Sequence, residues 1–212
     1  MNASYLTLSG DGRSDLIIQK SRFIGYASPC ASEEAALRML QDCREEHRSA
    51  THHCYAYIIG ENAGIIRYSD NGEPSGTAGL PMLDVLKNRK LVYSCIVVVR
   101  YFGGTLLGTG GLVRAYGQCA QQAVEAAGIA RMEWTHRILC EVPYGTWDRI
   151  RHTAESLPVR MQEISYGTAV SFHLLVREND RNQCIDALMD TSARNMETLP
   201  LEEGFQPWLI QE

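Results

Sequence analysis

Hydrophobic and polar positions along the chain change between the period of strands and the period of helices. Residues 16–27 alternate apolar and polar side chains, which predicts a strand or two strands joined by a kink. After Pro29, an amphipathic helix begins with Ser32 as its N-cap and acidic residues in its first turn. Residues 52–60 and 64–69 then predict two strands joined by a loop with glycine at both ends.

The middle of the chain predicts a helix, a buried strand and a second helix. Leu80, Leu83, Val85 and Leu86 indicate a helix that ends near residue 88. The stretch YSCIVVVRYF, which begins at residue 93, is apolar and β-branched on both faces, as expected of a central strand covered on both sides. Apolar residues then recur with helical spacing up to Gly128. These elements form a first domain of about 130 residues, which we place at 1–133.

The remaining residues, 134–212, predict a second domain with the order β-α-β-β-α-β. This order is typical of the split βαβ, or ferredoxin-like, arrangement. We therefore predict an α+β protein of two domains. The predicted strands are 137–144, 159–167, 169–177 and 196–204, and the predicted helices are 145–157 and 179–193.

Charge is distributed unevenly between the two parts. The formal net charge is −5, residues 1–133 carry 13 basic and 13 acidic side chains, and residues 134–212 carry 7 and 12. A generic nucleic-acid-binding protein has a basic domain, because phosphate neutralisation supplies most of its non-specific affinity. The composition argues against that class.

The seven cysteines are odd in number and contain no CxxC pair. Together with the absence of a signal-peptide pattern, they indicate a reducing, cytoplasmic location with buried free thiols. The paired spacing of a structural zinc site is missing, so we expect no metal. No apolar run approaches the ~20 residues that a membrane-spanning helix needs. We expect no membrane association.

A glycine-rich loop, RYFGGTLLGTGGLVRAYG at residues 100–117, follows the central strand. A bare backbone before a helix exposes N–H groups to an anion. The P-loop pattern fails because Thr109 stands where its lysine belongs. The dinucleotide pattern fails because Val113 replaces its third glycine. An ordinary NTPase and a Rossmann enzyme are both unsupported.

Two arginines in this loop, Arg100 and Arg114, each stand near a tyrosine, Tyr101 and Tyr116. A guanidinium beside free N–H groups suits a carboxylate or a phosphate. Two alternatives stay open. The glycines can serve only a tight strand-to-helix connection, and the arginines can pair internally with acidic residues of the preceding DNGEPSGTAG segment.

That segment, residues 70–79, also has two interpretations. Asp70 and Glu73 are either paired acids for catalysis or caps of a turn and of the following helix, and capping is the simpler. Thr77 to Gly79 offer a second cluster of N–H groups. The sequence HHCY is compatible with a cysteine nucleophile, but His53 and Cys54 point to opposite faces of a strand, which disfavours direct activation.

Four segments together resemble the bacterial members of the IMPACT family, and the resemblance extends over essentially the whole chain. They are KSRFI at 20–24, HHCYAYIIG at 52–60, SDNGEPSGTAGLPML at 69–83 and VVVRYFGGTLLGTGGLVRAYG at 97–117. The resemblance implies a first domain with the fold of ribosomal protein S5 domain 2 and a second similar to the ferredoxin-like domain V of elongation factor G. Eukaryotic relatives regulate translation through a kinase pathway that bacteria lack, so that partner does not carry over.

Two functional hypotheses follow. The first is a non-enzymatic module, without cofactors, that docks on RNA, the ribosome or a translation factor through an anion-binding cleft. The second is an enzyme that acts on a small phosphorylated or carboxylated ligand in the same cleft, with His53, Asp70 or Glu73 as acid or base. The residues expected to bind the anion are Lys20, Arg22, Gly76, Thr77, Arg100, Tyr101, Gly103, Gly104, Gly108, Gly110, Gly111 and Arg114.

Overall fold

A computed structural model describes residues 3–209 of the chain, so residues 1–2 and 210–212 of the two predicted domains lie outside it. Helices and antiparallel strands are divided between two compact units, Tyr5–Arg131 and Met132–Pro207. The predicted α+β class with two domains is confirmed. Within residues 3–209, no helix is long and apolar enough to cross a membrane.

Ten strands and five α-helices make up this part of the chain. The strands are β1 (Tyr5–Leu8), β2 (Gly12–Ile18), β3 (Ser21–Pro29), β4 (His52–Ile59), β5 (Ile65–Ser69), β6 (Ser94–Tyr101), β7 (Ile129–Val142), β8 (Val159–Tyr166), β9 (Val170–Arg177) and β10 (Glu197–Leu209). The helices are α1 (Glu33–Glu46), α2 (Gly79–Asn88), α3 (Gly108–Ala127), α4 (Tyr144–Glu155) and α5 (Arg181–Thr191).

The first unit contains an antiparallel sheet in the order β2-β3-β6-β4-β5. The central strand β6 is buried on both faces, as predicted. Its Ile96 and Val98 join a core with α2 and α3, and its Val97 and Val99 join a second core with α1. The sheet is therefore covered by α2 and α3 on one face and by α1 on the other.

The second unit has the predicted β-α-β-β-α-β order, and its strands lie in the order β10-β7-β9-β8. Trp147 and Ile150 of α4, Phe172 of β9 and Leu188 of α5 belong to one buried cluster. The helices thus bury an apolar face against the sheet, which is the ferredoxin-like arrangement.

Strand β2 and strand β3 differ from the sequence-based expectation. Instead of one strand, or two strands joined by a kink, over 16–27, the chain makes a hairpin in which Ile18 pairs with Ser21. The two residues between them, Gln19 and Lys20, have φ values of 45° and 69°. Such left-handed values are what a two-residue hairpin turn of type I′ requires. The turn matters because it places Lys20 at one end of the sheet.

Helix α3 runs antiparallel to β2, and this direction brings the turn to the start of the helix. Near the end of α3, a Cβ on Gly12 would lie 2.2 Å from the Ala123 carbonyl oxygen. One turn earlier along α3, the Ser14 hydroxyl donates to the Cys119 carbonyl oxygen at 2.8 Å. As residue numbers rise along β2 they fall along α3, so the β2–β3 turn lies beside the first turns of α3.

Candidate functional site

The segment before α2 is closed by the carboxylate of Asp70. Its Oδ2 accepts a hydrogen bond from the Gly76 N–H at 2.8 Å, and its Oδ1 accepts from Ala78 at 2.9 Å and Gly79 at 2.8 Å. Burial alone would raise the pKa of Asp70, but these three N–H donors lower it below its ordinary value. Asp70 therefore caps α2 as an anion, which is the simpler of the two roles considered from the sequence.

Replacing Asp70 by alanine should lower the free energy of unfolding by about 1–2 kcal/mol at pH 7, because a helix loses its capping carboxylate. A depressed pKa in the folded state stabilises the fold above the unfolded pKa of about 4 and loses that contribution as pH falls through the folded pKa. Urea unfolding at pH 7 and at pH 3 should therefore show a smaller difference between the variant and the wild type at pH 3. A difference that does not change with pH would refute the capping role.

The other donors of this segment also have internal partners. The Thr77 hydroxyl donates to the Pro74 carbonyl oxygen at 2.6 Å, and the Thr77 N–H donates to the same oxygen at 3.1 Å. The Gly76 N–H already serves Asp70. The N–H groups of Gly76 and Thr77 were expected to bind an external anion. In the structure they donate to acceptors of the same segment instead.

A buried carboxylate, Glu73, accepts two hydrogen bonds on a single oxygen and has a histidine nearby. Its Oε1 accepts from the Arg100 guanidinium at 2.7 Å and from the Tyr116 hydroxyl at 2.8 Å, and it lies 3.9 Å from His52 Nε2. The side chains of Arg100 and Glu73 are 5% and 4% exposed. Burial, the Cys54 thiol and the Glu73 carboxylate raise the pKa of Tyr116, so its hydroxyl stays a proton donor.

Both terminal nitrogens of Arg100 are hydrogen-bonded inside the first unit, whereas its buried Nε has no hydrogen-bond partner among the described residues. Its guanidinium carbon lies 5.3 Å from the Phe23 ring centre and 5.4 Å from the Phe102 ring centre, within the range of a cation–π contact. It also donates to the Ser21 hydroxyl at 3.1 Å. The internal pairing considered from the sequence is the one observed for Arg100. Its charge is neutralised inside the domain, so we do not include it in a surface for external anions.

The residues of the HHCY sequence, at the start of β4, form hydrogen bonds inside the first unit. The Cys54 sulfur lies 3.0 Å from the Asp70 carbonyl oxygen and 3.4 Å from the Tyr116 hydroxyl oxygen, so its single S–H can donate to either one, and burial raises its pKa to about 12. Such a thiol is a poor nucleophile. Burial lowers the pKa of His53, whose Nε2–H donates to the His47 carbonyl oxygen at 3.2 Å. His52, which the sequence analysis did not select, is the histidine beside Glu73.

The loop at 102–107 begins with a close contact between two backbones. A Cβ on Gly103 would lie 2.1 Å from both the carbonyl carbon and the oxygen of Lys20. The Gly103 N–H donates to the Ser21 hydroxyl at 3.2 Å. Glycine is needed at this position because any side chain would collide with the β2–β3 turn.

The start of α3 is open. No side chain caps the helix at Leu107, and its first turn contains no acidic residue. A Cβ on Gly104, Gly108 or Gly110 would meet no atom within 4 Å, whereas one on Gly111 would meet Leu107 at 3.0 Å. This helix start therefore differs from that of α2, which Asp70 fills.

The other predicted basic and aromatic residues fall into two groups. Arg22 donates to Asp15 at 3.0 Å, and the Tyr101 hydroxyl is hydrogen-bonded to His47 Nδ1 at 2.9 Å. Lys20 and Arg114 are exposed, and neither forms an ion pair with a carboxylate in residues 3–209. Arg114 donates through Nε to the Gly110 carbonyl oxygen at 3.2 Å, which holds its side chain along the first turn of α3.

Two apolar residues of the loop are exposed and were missed by the sequence analysis. Phe102 is 45% exposed and Leu106 is 85% exposed. Large apolar residues inside a glycine-rich loop were the sequence signal that could have identified them as exposed. The exposed residues at this end of the first unit, which we call the α3 surface, are Lys20, Phe102, Leu106, Gly108, Gly110 and Arg114. Among residues 3–209, no group of three or more His, Cys, Asp or Glu side chains is placed to hold a metal ion.

Comparisons with known proteins agree on one family. The family model described as the Impact N-terminal domain matches residues 19–124. The chain is 40% identical to the IMPACT family member YvyE of Bacillus subtilis over 179 residues, which cover 84% of this chain and 82% of that protein. It is 47% identical to the IMPACT family member YigZ of Escherichia coli over 109 residues, which cover 50% and 53%.

A solved structure is similar over almost the whole chain. The crystal structure of a hypothetical protein superposes with a TM-score of 0.61 at 31% sequence identity, and the match covers 95% of this chain and 99% of the other. The glycine-rich loop, the Asp70 cap and the buried Glu73–Arg100 pair all lie within the part matched by the family model. The chain belongs to the IMPACT family.

Proposed function

We propose that the protein is a translation-associated binding module that docks on RNA, free or within the ribosome, through the α3 surface of its first domain. The observation that carries the proposal is the start of α3, which has no side-chain cap, no acidic residue in its first turn, and two glycines, Gly108 and Gly110, at which an added Cβ would meet no atom within 4 Å. The start of a 20-residue helix attracts phosphate through its free N–H groups and its dipole.

Two cations and the bare backbone support phosphate binding at this surface. Lys20 stands on the turn beside the start of α3, and Arg114 lies in the second turn of the helix. Neither is neutralised by a carboxylate of the described chain. A phosphate can approach the backbone at Gly108 and Gly110 because no side chain intervenes.

The exposed ring of Phe102 favours single-stranded RNA over a duplex. Single-stranded nucleic acids bind by stacking bases on aromatic rings beside a positively charged track for the backbone. Phe102 packs on Arg100 through one contact and remains 45% exposed. Because residues 1–133 are neutral overall and residues 134–212 are acidic, we expect local and salt-sensitive binding rather than strong non-specific binding.

The double variant Lys20→Ala with Arg114→Ala tests the proposal. Affinity for a fluorescein-labelled single-stranded RNA, measured by anisotropy over a series of salt concentrations, should fall, and the slope of log K against log salt should shrink by about 1.4, or about 0.7 for each lost phosphate contact. Phe102→Ala should weaken binding by about 1–3 kcal/mol at every salt concentration, because it removes a stacking contact.

A matched control is the double variant Arg38→Ala with Lys87→Ala, which removes the same charge from two other helices of the domain. It should leave the salt slope unchanged. Equal effects of the two double variants would show that only net charge matters. RNA that fails to bind at low salt, together with ribosomes that do not co-sediment the protein, would end the proposal.

A second function is favoured by the contact between His52 and Glu73. The 3.9 Å separation of His52 Nε2 from Glu73 Oε1, in a pair that is partly exposed on the histidine side, resembles an acid-base pair of an enzyme acting on a small phosphorylated or carboxylated ligand. Asp70 is less suited, because three N–H donors occupy its oxygens. Thermal stabilisation by a phosphorylated metabolite, with none by RNA, would favour this second function.

A further inference from the structure

The first unit holds a pocket on the opposite face of the sheet from α2 and α3. It has a volume of about 440 Å³ and lies between the end of β3 and α1. Its lining includes two cysteines, Cys30 and Cys43, together with Arg38, Asp42 and Glu46. The pocket is large enough for a molecule of the size of a peroxide, and both cysteines line it.

A third cysteine, Cys95, lies on the neighbouring strand β6, next to Cys30. Cys30 follows β3 directly, and its N–H donates to the Tyr93 carbonyl oxygen at 2.7 Å, while Ser28 pairs with Cys95 across β3 and β6. Cys30 and Cys95 are therefore diagonal neighbours on one face of the sheet. Both side chains belong to the same buried cluster on the α1 face of the sheet, and Cys95 is fully buried.

We propose that Cys30 and Cys95 are a peroxide-reactive pair, in which Cys30 is oxidised from the pocket and Cys95 resolves it to an intramolecular disulfide. The pocket gives a peroxide access to Cys30, and the sheet register places Cys95 next to it. Because Cys95 is fully buried, it reacts second, with oxidised Cys30. The inference does not depend on RNA binding, because it concerns the other face of the sheet.

The surroundings of the three sulfurs favour Cys30 as the group attacked. The interaction with the Cys95 side chain lowers the pKa of Cys30, and Arg38 lowers it by a smaller amount. Burial and the Asp11 carboxylate act in the opposite direction. By contrast, burial and the carboxylates of Glu46 and Asp42 raise the pKa of Cys43 to about 12. Thiolates are the reactive form, so Cys43 is an internal control that lines the same pocket.

The chemistry balances with a hydroperoxide as the oxidant. The Cys30 thiolate attacks one peroxide oxygen, an S–O bond forms, the O–O bond breaks, and the leaving hydroxide is protonated to water. The Cys95 sulfur then attacks the Cys30 sulfenic acid, an S–S bond forms, the S–O bond breaks, and the hydroxyl leaves as water with the Cys95 proton. Two thiols are oxidised by two electrons in all, and one peroxide is reduced to two waters.

The test uses the full chain, reduced first and then treated with hydrogen peroxide. All seven cysteines are free before treatment. Quantification of thiols in denaturant should fall from seven to five, the intact mass should fall by two hydrogens, and peptide mapping should find Cys30 linked to Cys95. Dithiothreitol should restore seven thiols. This part needs no variant, so it does not depend on whether a core substitution folds.

Three single variants assign the roles. Cys30→Ser should abolish the loss of thiols, Cys43→Ser should leave it unchanged, and Cys95→Ser should trap a sulfenic acid on Cys30 that reacts with dimedone. Cys95→Ala provides the same trap if the serine variant fails to fold. A peroxide-treated protein that keeps all its thiols, links Cys43, or forms only disulfides between molecules would overturn the proposal.

Discussion

Replacing Glu73 by glutamine should lower the free energy of unfolding by about 3–5 kcal/mol, because it leaves the buried charge of Arg100 without its carboxylate. The side chains of both residues are at least nine-tenths buried, and the same Glu73 oxygen also holds the Tyr116 hydroxyl. Urea unfolding followed by circular dichroism measures the change. We expect a lower midpoint with an unchanged slope, since the surface exposed on unfolding stays the same.

A double variant, Glu73→Leu with Arg100→Met, is the matched control for that loss. It removes both charges and keeps apolar volume, so it should recover most of the stability that Glu73→Gln loses. If Glu73→Gln were as stable as the wild type and bound RNA more tightly, Arg100 would be an available anion receptor rather than half of an internal pair. That result would reverse our assignment of Arg100.

Replacing Gly103 by alanine should destabilise the first domain by about 3 kcal/mol or more, because the new methyl group collides with backbone atoms that cannot turn away. The collision would be with the Lys20 carbonyl group and the Ser21 nitrogen, at 2.1 Å and 2.5 Å. Thermal and urea unfolding measure the effect. Since Ser21 holds both Gly103 and Arg100, the loss should extend to the buried pair.

Gly110→Ala is the matched control within the same loop and helix. Its Cβ would meet no atom within 4 Å, and Gly110 is absent from the glycines with positive φ. Alanine is the better helix former, so stability should be unchanged or rise by about 0.5–1 kcal/mol. Equal destabilisation by both substitutions would contradict the backbone contact that we assign to Gly103.

Much of the fold could be predicted from periodicity, and the exceptions have physical causes. The helices α1 and α3 and the central strand β6 follow from amphipathic and β-branched patterns that burial enforces. The β2–β3 turn could not be predicted, because Gln19 and Lys20 adopt left-handed φ values without being glycine, asparagine or aspartate. The turn also packs against the backbone of Gly103, which is distant in the sequence.

The candidate site was predicted in part, and distance along the chain explains the rest. The glycine pattern indicated a connection between a strand and a helix, and α3 begins at Gly108 within it. The pattern could not show which charged side chains lack an internal partner and can bind an external anion. Asp70 reaches forward to fill the start of α2, and Glu73 reaches across the sheet to Arg100, 27 residues later. The Glu73–Arg100 pairing depends on strand order, which the local pattern does not contain, whereas the Asp70 cap is local and was the simpler role considered from the sequence.

The most direct test of the proposed function is an NMR titration of the ¹⁵N-labelled protein with single-stranded RNA at low salt. The account predicts that the backbone amide signals of residues 103–111 shift with RNA concentration, and that the shifts disappear in the Lys20→Ala, Arg114→Ala double variant. Signals at 103–111 that stay in place, while RNA either fails to bind or shifts only residues 132–207, would contradict it.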